Sequence, residues 1–265
     1  MKRKFSFLVF ILLVSALCQA HEFWLLPIKF HYGPGETARI DFMVGENFTG
    51  AYWDLERHAV EQLVVINRSG SEDVTTRIRS TKGNNLTYTF GSVGTHLFTL
   101  QSSAAYIESE GEEFTKYLEE DGIENILAHR KKTNAENLKA REFYTRYAKL
   151  LVQYGGRTDD TFKKEAGFVI EIIPQKNPYD LKPGDYMTCK LLYNKVPAPH
   201  SLMKVWNQTG KRTFLQNMYT EEDGTITFPI SNSGSWMVSS VKMKSSERND
   251  ADYESMWASL VFGIN

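Results

Sequence analysis

Two cysteines in 265 residues are too few to hold this chain together covalently. Cys18 lies in the leading segment, so Cys189 is left without an internal partner and the fold must rest on its core. Cys189 sits in Tyr186-Met187-Thr188-Cys189-Lys190-Leu191-Leu192, a strand-like run in which it reads as a small buried hydrophobe. An excess of positive charge is also missing: 31 basic residues face 32 acidic ones. Without Lys2, Arg3 and Lys4 of the leading segment the balance is 28 to 32, a net charge of −4. Such mild acidity argues against nucleic acid as a partner, which calls for a basic face. The apolar run at 5–17 falls short of the ~20 residues that a membrane-spanning helix needs, so no transmembrane segment is expected in the mature chain.

Catalytic and local metal signatures are missing too. None of H-x-x-x-H, H-x-H or H-E-x-x-H occurs, which excludes a local zinc motif. There is no Gly-x-Ser-x-Gly elbow, no Gly-rich phosphate loop and no EF-hand loop. No repeat, coiled coil or low-complexity tract is present. The expectation is a protein that is not an enzyme.

What is present starts at the leading end. Lys2-Arg3-Lys4, the apolar run and Cys18-Gln19-Ala20 make the n-region, h-region and small-residue cut site of a secretory signal peptide, residues 1–20. Acylation at Cys18 competes as a lipoprotein reading, but the bulky Leu17 before it fits that processing poorly. A periplasmic or extracellular location follows. Cleavage after Ala20 makes His21 the first residue, with its free α-amine and imidazole Nδ1 placed to chelate one metal ion. A free α-amine has a reference pKa of roughly 7.7–8.0, so a divalent cation displaces its proton near neutrality. Phe23 in third place excludes the square-planar motif that uses a histidine there.

The remaining 245 residues suffice for one large domain or two ordinary ones. Residues 37–44 alternate, with Ala38, Ile40, Phe42 and Val44 on one face, the period of a half-buried strand. Further short runs at 60–66, 74–78, 86–90 and 96–100 indicate an antiparallel sandwich over residues 21–107. Between 108 and 165 the pattern turns helical. Phe114, Tyr117 and Leu118 precede Gly122, and Ile123, Ile126 and Leu127 open a second short helix. Phe143, Tyr147, Leu150 and Tyr154 mark 135–154 as the strongest helix, ended by Gly155-Gly156, with polar 157–166 as a linker. A second β unit, 166–265, has strands expected at 168–174, 186–193, 202–206, 225–229, 235–243 and 255–262, with a hairpin turn at Glu222-Asp223-Gly224. The predicted fold is mainly β: two immunoglobulin-like antiparallel β-sandwich units with a helical insertion between them.

Several stretches carry a resemblance. His21-Glu22-Phe23-Trp24-Leu25-Leu26-Pro27, Val44-Gly45-Glu46-Asn47-Phe48 and Tyr117-Leu118-Glu119-Glu120-Asp121-Gly122 come first. Arg141-Glu142-Phe143-Tyr144-Thr145-Arg146-Tyr147-Ala148-Lys149, Ile173-Pro174-Gln175-Lys176-Asn177-Pro178-Tyr179 and Asp252-Tyr253-Glu254-Ser255-Met256-Trp257-Ala258-Ser259-Leu260 follow in order. Together they resemble the DUF4198 family, whose members are often described as NikM-like nickel-uptake proteins. The resemblance implies an exported, β-rich protein, immunoglobulin-like in its C-terminal part, with a link to nickel or cobalt uptake in some members. One departure stands out: Lys242 occupies a place where a histidine is expected, and a protonated amine is a poor metal ligand.

Among the other histidines, His96 in Gly94-Thr95-His96-Leu97 is the best companion for His21, while His129 in His129-Arg130-Lys131-Lys132 reads as solvated surface. The carboxylates at Glu110, Glu112 and Glu113 and at Glu119, Glu120 and Asp121 read as solvated helix faces, and Asp252 and Glu254 as loop surface. The expected function is an exported, non-enzymatic protein that binds a transition metal ion (nickel, cobalt or copper) through His21, with His96 as second ligand, and serves a membrane metal-uptake system. The alternative is an extracytoplasmic β-sandwich module that binds a protein, peptide or glycan.

Overall fold

The computed structural model describes residues 21–265, so the signal-peptide reading of 1–20 lies outside the described residues. The N-terminal strands are β1 (Glu22–Pro27), β2 (His31–Tyr32), β3 (Thr37–Glu46), β4 (Thr49–Tyr52), β5 (Val60–Asn67) and β6 (Gly70–Asp73). They are followed by β7 (Leu86–Thr89), β8 (Gly94–Ser102) and β9 (Ala105–Ser109). Two helices, α1 (Gly111–Glu120) and α2 (Glu124–Lys132), lead into the long strand β10 (Ala140–Tyr154). The rest is β11 (Ile170–Pro174), β12 (Tyr186–Tyr193), β13 (Val196–Pro197), β14 (Leu202–Thr209) and β15 (Arg212–Tyr219). It closes with β16 (Thr225–Pro229), β17 (Gly234–Ser245) and β18 (Tyr253–Ile264). The protein is mainly β.

Three sheets carry these strands. One joins β1, β3, β4 and β7; another joins β11, β12, β13 and β16. The third runs β15-β14-β17-β18-β10-β8-β5-β6, with β2 and β9 also on β10. Most pairings are antiparallel, but β10 and β18 run parallel, from Glu142↔Tyr253 to Leu150↔Val261. This long sheet therefore takes strands from both sides of the expected 107/108 and 165/166 divisions.

Burial follows the sheets. One core unites Phe23, Ile40 and Phe42 of the first sheet with Leu63, Phe98, Leu150 and Val152 of the long sheet. A second unites Ile170, Met187, Cys189 and Phe228 with Val205, Val238, Leu260 and Phe262. A third holds the helices down: Phe114 stacks on Tyr253 at 5.1 Å and Tyr117 on Trp257 at 5.7 Å. The alternation read at 37–44 survives in β3, where Ala38, Ile40 and Phe42 are buried. Cys189 is fully buried, and burial pushes its thiol up to about 12.

Three readings are corrected. The strongest expected helix, 135–154, is mostly β10, buried on both faces from Arg146 to Gln153. A central strand shows no period of 2, because both faces are covered. The run at 74–78 is no strand but holds a 3-10 turn, Thr75–Arg77. The turn at Glu222-Asp223-Gly224 forms, with Gly224 at φ 76°, yet it passes the chain from the long sheet to another instead of closing a hairpin.

Candidate functional site

The strand β1 lies beside β3, with Glu22 opposite Gly45, and this sets His21 beside Glu46. His21 Nδ1 is 3.6 Å from Glu46 Oε1, too far for a hydrogen bond, and has no other partner among the described residues. The His21 carbonyl accepts a 2.8 Å bond from Nη1 of Arg146, a buried residue of β10. That guanidinium lies against Phe23, Tyr144 and Trp257, at 5.7, 5.1 and 5.9 Å from their rings. Burial pushes the Arg146 pKa down, with Tyr144 and Glu22 acting in the other direction. A second imidazole faces the same arginine. His58 stacks on Trp53, lies 6.1 Å from the Tyr144 ring, and its Nδ1 is buried without a hydrogen bond. Its pKa is lowered, by burial first and then by the Arg146 charge.

Behind His21 lies a buried charge cluster. The Lys204 ammonium is 2.6 Å from Asp121 Oδ1 and 3.5 Å from Glu22 Oε1, and Ser239 Oγ donates to Glu22 at 3.4 Å. Burial and the Glu22 charge raise Asp121 to about 7 against the pull of Lys204. Burial opposes the Lys204 charge, but Glu22 and Asp121 more than offset it and raise its pKa. One ammonium thus faces two carboxylates in a buried site. A small cavity of about 10 Å³, enough for one water, adjoins this cluster. Glu142 accepts from Ser255 Oγ and, at 3.3 Å, from Tyr117; burial raises its carboxyl to about 7.

Asp121 owes its place to Gly122. That glycine ends α1 at φ 64°, and a Cβ there would meet Leu202 at 2.8 Å. The glycine lets the chain turn tightly against β14 and hold Asp121 on Lys204. The reading of Asp121 as a solvated helix face is thereby corrected, whereas Glu119 and Glu120 are exposed. Asp252 is clamped by Arg141 through bonds of 2.8 and 3.2 Å, and Glu254 pairs with Lys244 at 3.0 Å.

The structure does not bring His96 to His21. His96 is fully buried, its Nδ1 against the Gly94 carbonyl at 3.2 Å and its ring among Tyr88, Phe90 and Tyr154. It faces Val152 on β10, six residues from the Arg146 that holds His21, or about 20 Å along the strand. Burial lowers its pKa, as expected of a core histidine. No group of three His, Cys, Asp or Glu side chains converges as a metal site among the described residues. The side-chain atoms that lie together at His21 are its Nδ1 and the Glu46 carboxylate.

Sequence reasoning missed Arg146, Lys204 and His58. Arg146 lies in the stretch 135–154 read as a helix, and Lys204 and His58 carry no local motif. No described helix is long and apolar enough to cross a membrane.

Residues 18–243 match the family described as "Domain of unknown function (DUF4198)". No curated protein matches the chain significantly. Two solved structures show a weak likeness. The D0–D1 domain of intimin is 11% identical, with 91% of this chain and 97% of that one covered and a TM-score of 0.20. A tetra-tandem repeat from the extending region of a large adhesion protein is 10% identical, with 93% and 50% covered and a TM-score of 0.22. The chain thus spans half of that second protein. Both scores are too low for the folds to be equated.

Proposed function

We propose, for a chain that belongs to the DUF4198 family, the role of an exported, non-enzymatic carrier of a transition metal ion, held at His21 as cargo for a membrane uptake system. The observation that carries this is the His21 Nδ1, buried without a hydrogen bond, 3.6 Å from a carboxylate and fixed by the Arg146 bond to its own carbonyl. Cleavage after Ala20 frees an amine on that same residue, and amine, Nδ1 and Glu46 then supply two nitrogens and one oxygen. Nitrogen-rich sets of this kind suit nickel, cobalt and copper better than calcium or magnesium. The Arg146 charge works against a cation, so its clamp on the carbonyl must outweigh that repulsion.

The finer architecture belongs to the same proposal. The two main cores, each between a four-stranded sheet and part of the long sheet, support two immunoglobulin-like sandwich units fused along β10, with α1 and α2 as the helical insertion. A second reading, a binding module for a peptide or glycan, draws on a cleft of about 390 Å³ lined by Phe143, Tyr147 and Tyr193.

Calorimetric titration of the exported protein with Ni²⁺, Co²⁺ and Cu²⁺ tests the first reading. One site is expected, with intact mass confirming loss of residues 1–20. An extra residue before His21 should abolish most of the binding, since the amine becomes an amide; Glu46→Gln should weaken it less. Affinity should fall as pH drops, because both nitrogens must shed protons to coordinate. Equal binding by the extended protein overturns the His21 site and favours the binding module.

A further inference from the structure

A second cleft, of about 450 Å³, opens between α2, β17 and the segment that follows β12. Its size is that of an ordinary small-molecule site. Lys242 lines it from β17. This lysine is half-buried, yet among the described residues no carboxylate or hydrogen-bond acceptor meets its ammonium. The neighbouring Lys244, by contrast, is exposed and paired with Glu254 at 3.0 Å. Burial lowers the Lys242 pKa, and no charged neighbour acts on it in either direction. A half-buried charge without a counter-charge costs free energy, and an anion supplied from outside removes that cost.

The other walls say which anion. Tyr193, Val196, Pro197, Pro199 and Met243 present apolar surface around the ammonium. Val196 is 59% exposed, more than a structural role in the core would leave it. Three polar groups complete the rim. Glu124 is exposed, and His200 Nε2 is 3.1 Å from Glu222 Oε1, so it already has a carboxylate partner. Asn125 is spent on the Met243 carbonyl, to which its Nδ2 donates at 3.1 Å. A multiply charged anion would therefore find one free cation and a carboxylate nearby. An apolar molecule with a single carboxylate matches the cleft better.

We infer that the cleft at Lys242 binds a small organic monocarboxylate, its carboxylate on the ammonium and its apolar body against Tyr193, Pro197 and Pro199. This site shares no residue with His21 and does not depend on metal binding.

Calorimetric titration of the exported protein with 4-phenylbutyrate is the test, with the methyl ester and inorganic phosphate as comparison probes. Saturable binding of the acid is expected, with none by the ester. Lys242→Met should weaken it by about tenfold or more, the usual worth of a charged hydrogen bond, while Lys244→Met should change it less than twofold. A readout in the wild-type protein guards against a misfolded variant. The acid should slow acetic anhydride labelling of Lys242, read by peptide mass spectrometry, and leave Lys244 labelling unchanged. Binding of phosphate as tight as that of the acid, equal binding of the ester, or no protection of Lys242 would each overturn the inference.

Discussion

Lys149 shows how much one residue of this protein can carry. Its ammonium lies 2.8 Å from Glu171 Oε1, with the two side chains 1% and 2% exposed. Glu171 also accepts from the amides of Ala166, at 2.6 Å, and Gly167, at 3.1 Å. Burial lowers the Lys149 pKa, and Glu171 opposes the shift. Removing the lysine alone strands a buried carboxylate, which costs about 3–5 kcal/mol, whereas replacing both members by apolar residues is often neutral. Urea unfolding of Lys149→Met should show a loss of that size, and Lys149→Met with Glu171→Leu should regain most of it. Loss in the double variant equal to that in the single one would mean that the carboxylate is not the source of the cost. In sequence this lysine looks like any solvated charge, because its partner is 22 residues away across a linker.

At the scale of elements, α1 is locked to the sheet by both rings and charge. Phe114 and Tyr117 stack on Tyr253 and Trp257, and Asp121 at its end meets Lys204. Asp121 rises from 3.8 to about 7 and Glu142 from 4.5 to about 7, both chiefly through burial. From about pH 4 to 7 the folded protein therefore holds protons that the unfolded chain has released. The contribution of these two groups to stability is greatest at the acid end of that window, falls as pH rises through it and levels off above the folded pKa values. A shift of this size is worth at most about 4 kcal/mol per group. Asp121→Asn and Glu142→Gln should each flatten the slope of unfolding free energy against pH, measured by urea titration between pH 5 and 8. A slope unchanged in both variants would assign the titration elsewhere. The helix itself was legible in sequence, from Phe114, Tyr117, Leu118 and Gly122, because one face stays wet. The strand β10 was not, since its two-sided burial hides the period of 2 and lets Phe143, Tyr147, Leu150 and Tyr154 mimic helical spacing. Its content of Tyr144, Thr145 and Val152 was the available signal for a strand. The proposal at His21 starts from the cut site read in sequence; Arg146, which holds the His21 carbonyl, was hidden by the same misread element.

For the whole molecule, β10 decides how the parts hold together. It pairs with β8 and β9 on the N-terminal side and with β18 of the C-terminal side, nine register pairs in the last case. Leu150 and Val152 belong to the first core, while Tyr147 and Leu151 belong to the second. Alternate side chains of one strand thus enter different cores, so neither core can melt without uncovering part of the other. Two sandwich units joined by a flexible linker would unfold in two steps. Here one cooperative transition is expected, with the calorimetric enthalpy equal to the van't Hoff enthalpy. Leu150→Ala, which empties space in the first core, should cost about 2–5 kcal/mol and lower the midpoint of the whole transition. Hydrogen exchange at amides of β12 and β16, whose buried side chains belong to the second core, should speed up along with exchange in β3. Separate transitions, or exchange that changes in β3 alone, would show that the cores unfold independently and that β10 is a boundary between them.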